Sequence, residues 1–405
     1  MVFVGIDWAE KQHDVELISE SGQRLRSLRI SHGVQGLTKL QETISEFASE
    51  SSQVVVGIES DHGLLVNVLV GSGYTVYPVN PKVAARYRDR QSPGGSKSDA
   101  RDAEMLANLV RTDRHRHRPL AGDSDHGLEI RARARAHLRA VRVMLRMRNQ
   151  LRSLLLEFYP AVLPLLAEDD IRDALAILSV APNPLLGRGL SRSKIESTLR
   201  RHGRQRNLET RAIKIQELLR GPQLELKQPR LVSAHSDETA SLVRRLLQAR
   251  QEVALLEEQL GPTFRDHPDA DIYLSFPGLA DVLGARVLGE SGDDPARYLD
   301  ARSRRNYAGN SPVTRASGKK REVRRRVVRN RRLADATFCW AQSAINVSPG
   351  ARQLYERLRA RGKHHNEALR VVANKLVGIL HACLRDRRLY DPDIAWRSQA
   401  LADAA

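Results

Sequence analysis

The chain has 405 residues, with 66 lysines and arginines against 48 aspartates and glutamates, for a formal net charge of +18. That length supports two or three domains with real cores, and the charge points to a polyanionic partner, nucleic acid first. No stretch approaches the ~18 continuous apolar residues of a membrane span, and aromatics at 4% are too sparse to anchor basic helices on a membrane surface. Cys339 and Cys383 lie in apolar helical contexts without CxxC spacing. They read as buried thiols of a reducing compartment, not as a disulfide or zinc framework. "MVFVGIDWAEKQ" has no basic segment followed by an apolar one, so no signal peptide is expected and the cytoplasm is the default.

Taken in chain order, the first 125 residues read as α/β. "MVFVGIDW", "HDVELIS" and "QRLRSLRI" are three closely spaced strands. A helix follows at 34–49, carried by Leu37, Leu40, Ile44 and Phe47, and then "QVVVGIES", a strand buried on both faces by its unbroken Val/Ile run. A helix at 62–70, the strand "YTVYPVN", a short helix at 81–90 and the loop "QSPGGS" lead to a helix opened by "SKSDARDAEMLANLV". A meander followed by alternation is a ribonuclease-H-like order, whereas a doubly wound nucleotide fold alternates from the start.

Residues 126–265 change to long helices, with one basic helix at 128–158 and a turn or linker at "APNPLLGRGLS" (181–191). Leu242, Leu246, Ala249, Val253, Leu256 and Leu260 form a 4-3-4-3-4 seam. Such a seam fits a coiled coil within or between chains, or an amphipathic helix packed in its own domain. Residues 266–405 form a third, mainly helical region, opening with a helix–Gly turn–helix element at 273–293. Between 301 and 332 stand thirteen lysines and arginines and one acid, Glu322. Gly, Pro and Ser interrupt that run, which favours a phosphate-contacting loop and helix over a merely solvated face.

Four carboxylates carry the chemistry. Asp7 ends the first strand, Glu59 ends "VVVGIE", and Asp99 and Asp102 open a helix, on the stripe that Leu106 and Leu109 share. In a ribonuclease-H-like sheet the two strands run side by side, so acids from three segments converge. Their mutual repulsion requires cations, and hard oxygen donors in this number suit one or two Mg²⁺ ions. Ser96 and Asp99 also fit a capping box, which leaves Asp102 unexplained. A sugar-kinase or actin-like reading of "GIDWAEKQHD" fails because Trp8 and Ala9 stand where a phosphate-approaching glycine is needed.

These residues match a known pattern. "GIDWAEKQHDVELI", "VVVGIES" and "SKSDARDAEMLA" resemble the three acidic blocks of the DEDD transposases of the insertion-sequence one-ten family. "FPGLADVLGARVLGESGD" and "YAGNSPVTRASGKK" resemble that family's P-G and S-G segments. The likeness runs along almost the whole length. It implies that Asp7, Glu59, Asp99 and Asp102 are the D-E-D-D metal ligands and that Ser317 is the nucleophile. Arg315, Lys319, Lys320, Arg321, Arg324 and Arg325 would then contact nucleic acid. It further implies recombination of donor and target DNA guided by a noncoding RNA, a dimer or tetramer with a serine site completed in trans, and a bacterial, nucleoid-associated setting. Tyr298 and Tyr307 are rival nucleophiles. Two other readings stay open: a metal-dependent Holliday-junction-resolvase-like nuclease, and a non-enzymatic basic nucleic-acid-binding coiled-coil protein.

Overall fold

The computed structural model describes residues 1–61, 63–91, 98–120, 122–167, 171–317, 320–327 and 329–403. The chain divides into two compact units, Met1–Gly122 and Asp123–Ala405.

The first unit runs β1 (Val2–Asp7), β2 (Gln12–Ile18), β3 (Arg24–Ser31), α1 (Val34–Ser45), β4 (Val54–Ile58), α2 (Leu64–Gly71), β5 (Thr75–Pro78), α3 (Pro81–Gln91) and α4 (Asp99–Thr112). The sheet order is β3-β2-β1-β4-β5. β1, β2 and β3 form an antiparallel meander, and β4 and β5 run parallel to β1. This is the expected meander-then-alternation order of a mixed α/β, ribonuclease-H-like unit. Period-two alternation sends Val2, Val4, Ile6, Val54, Val56 and Ile58 into one core with Leu40, Ile44, Leu65 and Leu69 of α1 and α2. Phe3, Ile18 and Val55 face the other way, onto Met105, Leu106, Leu109 and Val110 of α4. Both faces of β4 are covered, which is why its sequence is continuously apolar.

One register detail sets the height of α4. Gly5 pairs with Gly57, and Ile6 with Ile58. A Cβ on Gly5 would come within 1.9 Å of the Ala103 carbonyl oxygen, and one on Gly57 within 2.8 Å of that of Leu106. Two adjacent bare positions thus let the backbone of α4 lie directly on the sheet.

The second unit is helical apart from one hairpin. α5 (Asp125–Phe158) pairs antiparallel with the helix Pro229–Arg265. Contacts of His126 with Thr263, His137 with Glu257 and Phe158 with His235 trace the pairing. Leu242 and Leu246 are buried with Leu151, Leu155 and Phe158, and Leu260 with Ile130 and Ala134. The two ends of the heptad seam are therefore covered by α5 within the same unit, while Ala249 and Leu256 between them are half-buried. The second core closes around Trp340, whose indole N–H donates to the Pro277 carbonyl at 3.0 Å.

The helix–Gly turn–helix element forms as expected, Ala270–Leu274 and Asp281–Ser291 flanking Gly278. Gly278 has φ of +81°, and a side chain there would come within 2.7 Å of the Ala344 backbone nitrogen. The supposed linker 181–191 contains a short helix, Pro184–Gly189, capped by the Asn183 side chain accepting from the Leu186 N–H. Asn followed by Pro is itself a helix-start signal. Residues 301–332 depart from the expected loop and helix: after the helix Ala301–Ala308 the chain forms a hairpin, β6 (Val313–Ser317) and β7 (Lys320–Arg324), before the helix Arg331–Val347. β-branched Val313 and Thr314 of β6, residue types that favour strands, stand opposite Arg324 and Val323 of β7. Cys383 is buried, Cys339 half-buried, and both are free thiols. No described helix is long and apolar enough to cross a membrane.

Candidate carboxylate site and serine hairpin

Asp7 and Glu59 each follow directly on the paired Ile6 and Ile58, so the two acids leave neighbouring strands at the same end of the sheet. α4 brings the helical pair to them. Its N-cap is Ser98, whose hydroxyl accepts from the Arg101 N–H at 3.4 Å; the expected cap, Ser96, lies outside the described residues. Asp99 is exposed at the first helical position, and Asp102, one turn further in, is only 3% exposed. The two carboxylates share a stripe in sequence, but Asp99 opens onto a cleft while Asp102 is enclosed beside Arg88 of α3.

The acids sense one another. Burial pushes the Asp7 carboxyl up to about 6, and the charges of Asp102, Asp99, Glu59 and Asp14 push in the same direction. Asp7 and Asp99 line an open cleft with Ala9, Lys11, Gln12, Asp14 and Arg29. On the other side of the cluster, the Arg88 guanidinium of α3 donates through Nε to Asp102 at 2.6 Å, with Nη2 4.0 Å from Glu59.

The hairpin holds Ser317 at the end of β6, exposed and paired with Lys320. Lys319, like Gly318, lies outside the described residues, as do the side chains of Arg315 and Lys320. Arg321, Arg324 and Arg325 are exposed, and Arg324 pairs with Glu322 at 2.7 Å. The base of the hairpin is tied down. Arg326 donates to Asn306 at 3.1 Å and Asn330 to the Tyr307 hydroxyl at 3.2 Å. Asn330 also reaches Glu290 at 3.0 Å, which Arg135 grips with both donors at 2.7 and 3.0 Å. The rival Tyr298 is buried, donates to the Ser291 carbonyl at 2.7 Å, and has its phenol pushed up by burial.

A transposase profile of the DEDD IS110 type matches residues 4–160, the segment containing all four acids. A second profile, of the IS116/IS110/IS902 transposase family, matches residues 270–356, the segment containing Ser317. The mini-circle IS117 transposase candidate of Streptomyces coelicolor is 41% identical over 400 residues, covering 98% of this chain and 96% of that one. The chain belongs to the IS110 family of transposases. It is also similar to the 42 kDa protein of insertion element IS900 from Mycobacterium paratuberculosis, 28% identical over 96% of this chain and 97% of that one. The IS110 43.6 kDa protein of Streptomyces coelicolor is 26% identical over 96% of this chain and 95% of its own length.

Within this transposase the donor chemistry suits a hard divalent cation, since every contributor is a carboxylate oxygen and the group repels itself at Asp7. The side chains as they stand are not a ligand set: among the described residues, no three His, Cys, Asp or Glu side chains are gathered to hold a metal ion. Asp102 is turned to Arg88 instead. Sequence reasoning missed Arg88, Asp14 and the Asp14–Arg29 fork, whose two hydrogen bonds are each 3.0 Å. Asp14 was recoverable, because a short hairpin turn after Asp7 pairs residues 7 and 14. Arg88 had no signal, since only the fold brings α3 to α4.

Proposed function

We propose that this transposase cuts and rejoins DNA through a covalent serine–DNA intermediate. Ser317 Oγ forms a bond to a DNA phosphorus as the bond to one DNA oxygen breaks, and the hydroxyl proton passes to the leaving oxygen. A DNA hydroxyl then reverses the exchange at the same phosphorus, so the number of phosphodiesters is conserved and no energy donor is required. Asp7, Glu59, Asp99 and Asp102 would hold one or two Mg²⁺ ions, which supply positive charge and Lewis acidity at the phosphodiester. The placement of Asp7 and Glu59 at one end of neighbouring parallel strands, with Asp99 lining the same cleft as Asp7, supports this reading. Arg321, Arg324 and Arg325, exposed on or just after β7, would follow the phosphate backbone, and by family likeness Arg315, Lys319 and Lys320 would join them.

From family likeness we infer the partners: donor and target DNA, a noncoding guide RNA, and further copies of the chain as a dimer or tetramer. The same inference covers cytoplasmic, nucleoid-associated action in a bacterium. The three-part division into 1–125, 126–265 and 266–405 is retained as a functional one: metal domain, helical region and serine domain.

The test incubates the full-length protein with both DNAs, the element's own RNA and Mg²⁺, then denatures. A protein–DNA adduct that disappears in Ser317→Ala is expected. Hydrolysed ends with Ser317→Ala fully active would refute the serine route in favour of a resolvase-like nuclease. No cleavage, together with Asp7→Ala and Asp102→Ala indistinguishable from wild type, would leave a binding protein.

A further inference from the structure

Arg88 bridges the carboxylates in the manner of a bound cation. Its Nε is 2.6 Å from Asp102 Oδ1 and its Nη2 is 4.0 Å from Glu59 Oε1. The second distance is too long for a hydrogen bond, so Glu59 is a charge neighbour and Asp102 the true partner. The two sides of this contact are held very differently. Asp102 sits on α4, whose Ala103, Met105, Leu106, Leu109 and Val110 are all buried, and is itself buried. α3, "PKVAARYRDRQ", packs on α4 through Ala84 and Tyr87, whose hydroxyl is 2.9 Å from that of Thr112, while the Arg88 side chain remains 30% exposed. The acid is enclosed, whereas the guanidinium has solvent to turn into.

We propose that Arg88 is a resident counter-ion that occupies Asp102 until a divalent cation displaces it, so that metal binding and release of the Arg88 guanidinium are a single exchange. The inference rests on the metal reading of the four acids. It explains why those acids are crowded yet do not form a ligand set as they stand. A buried carboxylate without a cation is costly, and Arg88 meets that need at Asp102. The consequence is a threshold: the cation competes with a charge-assisted hydrogen bond before it gains Asp102 as a ligand. Once released, Arg88 stands beside the site with its donors free for a phosphate, which the planar guanidinium suits.

The experiment measures Mn²⁺ binding to the full-length protein by electron paramagnetic resonance of the free ion, with thermal unfolding in parallel. Arg88→Ala is expected to tighten Mn²⁺ binding about tenfold, which is about 1.4 kcal/mol. Its metal-free form should melt below wild type and recover when Mn²⁺ is added. Arg88→Lys keeps the charge but loses the fork, should fold even if Arg88→Ala does not, and should fall between the two in affinity. Asp7→Asn and Asp102→Asn should lose binding. If Arg88→Ala and Arg88→Lys bind no tighter than wild type while Asp7→Asn abolishes binding, the metal site stands and the exchange is refuted. If Asp7→Asn and Asp102→Asn bind as wild type does, the metal reading falls and the exchange falls with it.

Discussion

Gly5→Ala places one methyl group against a helix backbone. The new Cβ would stand 1.9 Å from the Ala103 carbonyl oxygen and 2.4 Å from the Ala107 nitrogen. Neither atom belongs to a flexible side chain, so α4 must rise by about 1.5 Å to restore van der Waals contact. A gap of about 1 Å already forfeits up to half of a packing contact. Met105, Leu106, Leu109 and Val110 all stand on this interface, each contributing about 1.5–3 kcal/mol by burial. Losing a third of that gives about 3 kcal/mol, at the upper end of measured overpacking costs. Gly57→Ala should cost less, because its nearest backbone atom is 2.8 Å away. Urea unfolding followed by hydrogen exchange at β1 and α4 reports on the first unit separately from the second. A Gly5→Ala protein within about 0.5 kcal/mol of wild type would refute the idea that the paired glycines set the height of α4 and so the position of Asp102.

Other outcomes follow from the same structure. With chelator present, the first unit should lose stability as pH rises from about 4 through about 6. Asp7 holds its proton in the fold up to about 6 against 3.8 as the reference value, so the folded state binds more protons across that window. Asp7→Asn should remove this component from the plot of Tm against pH, and an unchanged slope would contradict it. Leu246→Ala, at a fully buried position, should cost about 3 kcal/mol in urea unfolding. Because Leu246 packs with Leu151, Leu155 and Phe158 of α5 in the same chain, light scattering should show the oligomeric state unaltered; dissociation would put this part of the seam at a subunit interface. Glu290→Gln breaks the two-donor grip of Arg135 and should cost about 2 kcal/mol by leaving a guanidinium without its carboxylate, read by denaturation. Tyr307→Phe should leave adduct formation intact, and its loss would restore tyrosine as a nucleophile.

Much of the fold and of the candidate site was legible in the residues themselves. Alternation of Val2, Val4 and Ile6, the unbroken run at 54–58, and the order of strands and helices determined a mixed α/β first unit. Local patterns of this kind are written in periodicity, which a chain of any sequence context obeys. The register that sets Gly5 and Ile6 beside Gly57 and Ile58 came only with the folded sheet. Three further matters were decided only by tertiary packing. The seam from Leu242 to Leu260 is equally good against another subunit or against α5, and the antiparallel pairing inside the unit put its two ends on α5. The basic run from 301 to 332 became a hairpin because its two short strands, Val313–Ser317 and Lys320–Arg324, could pair and anchor at Asn306, Tyr307 and Asn330. Asp99 and Asp102 share a helical stripe, yet one is exposed and the other buried beside Arg88, because where α3 meets α4 is a property of the folded unit. Spacing along the chain put both acids on one stripe; only the fold determined which of them is buried and that Arg88 meets it.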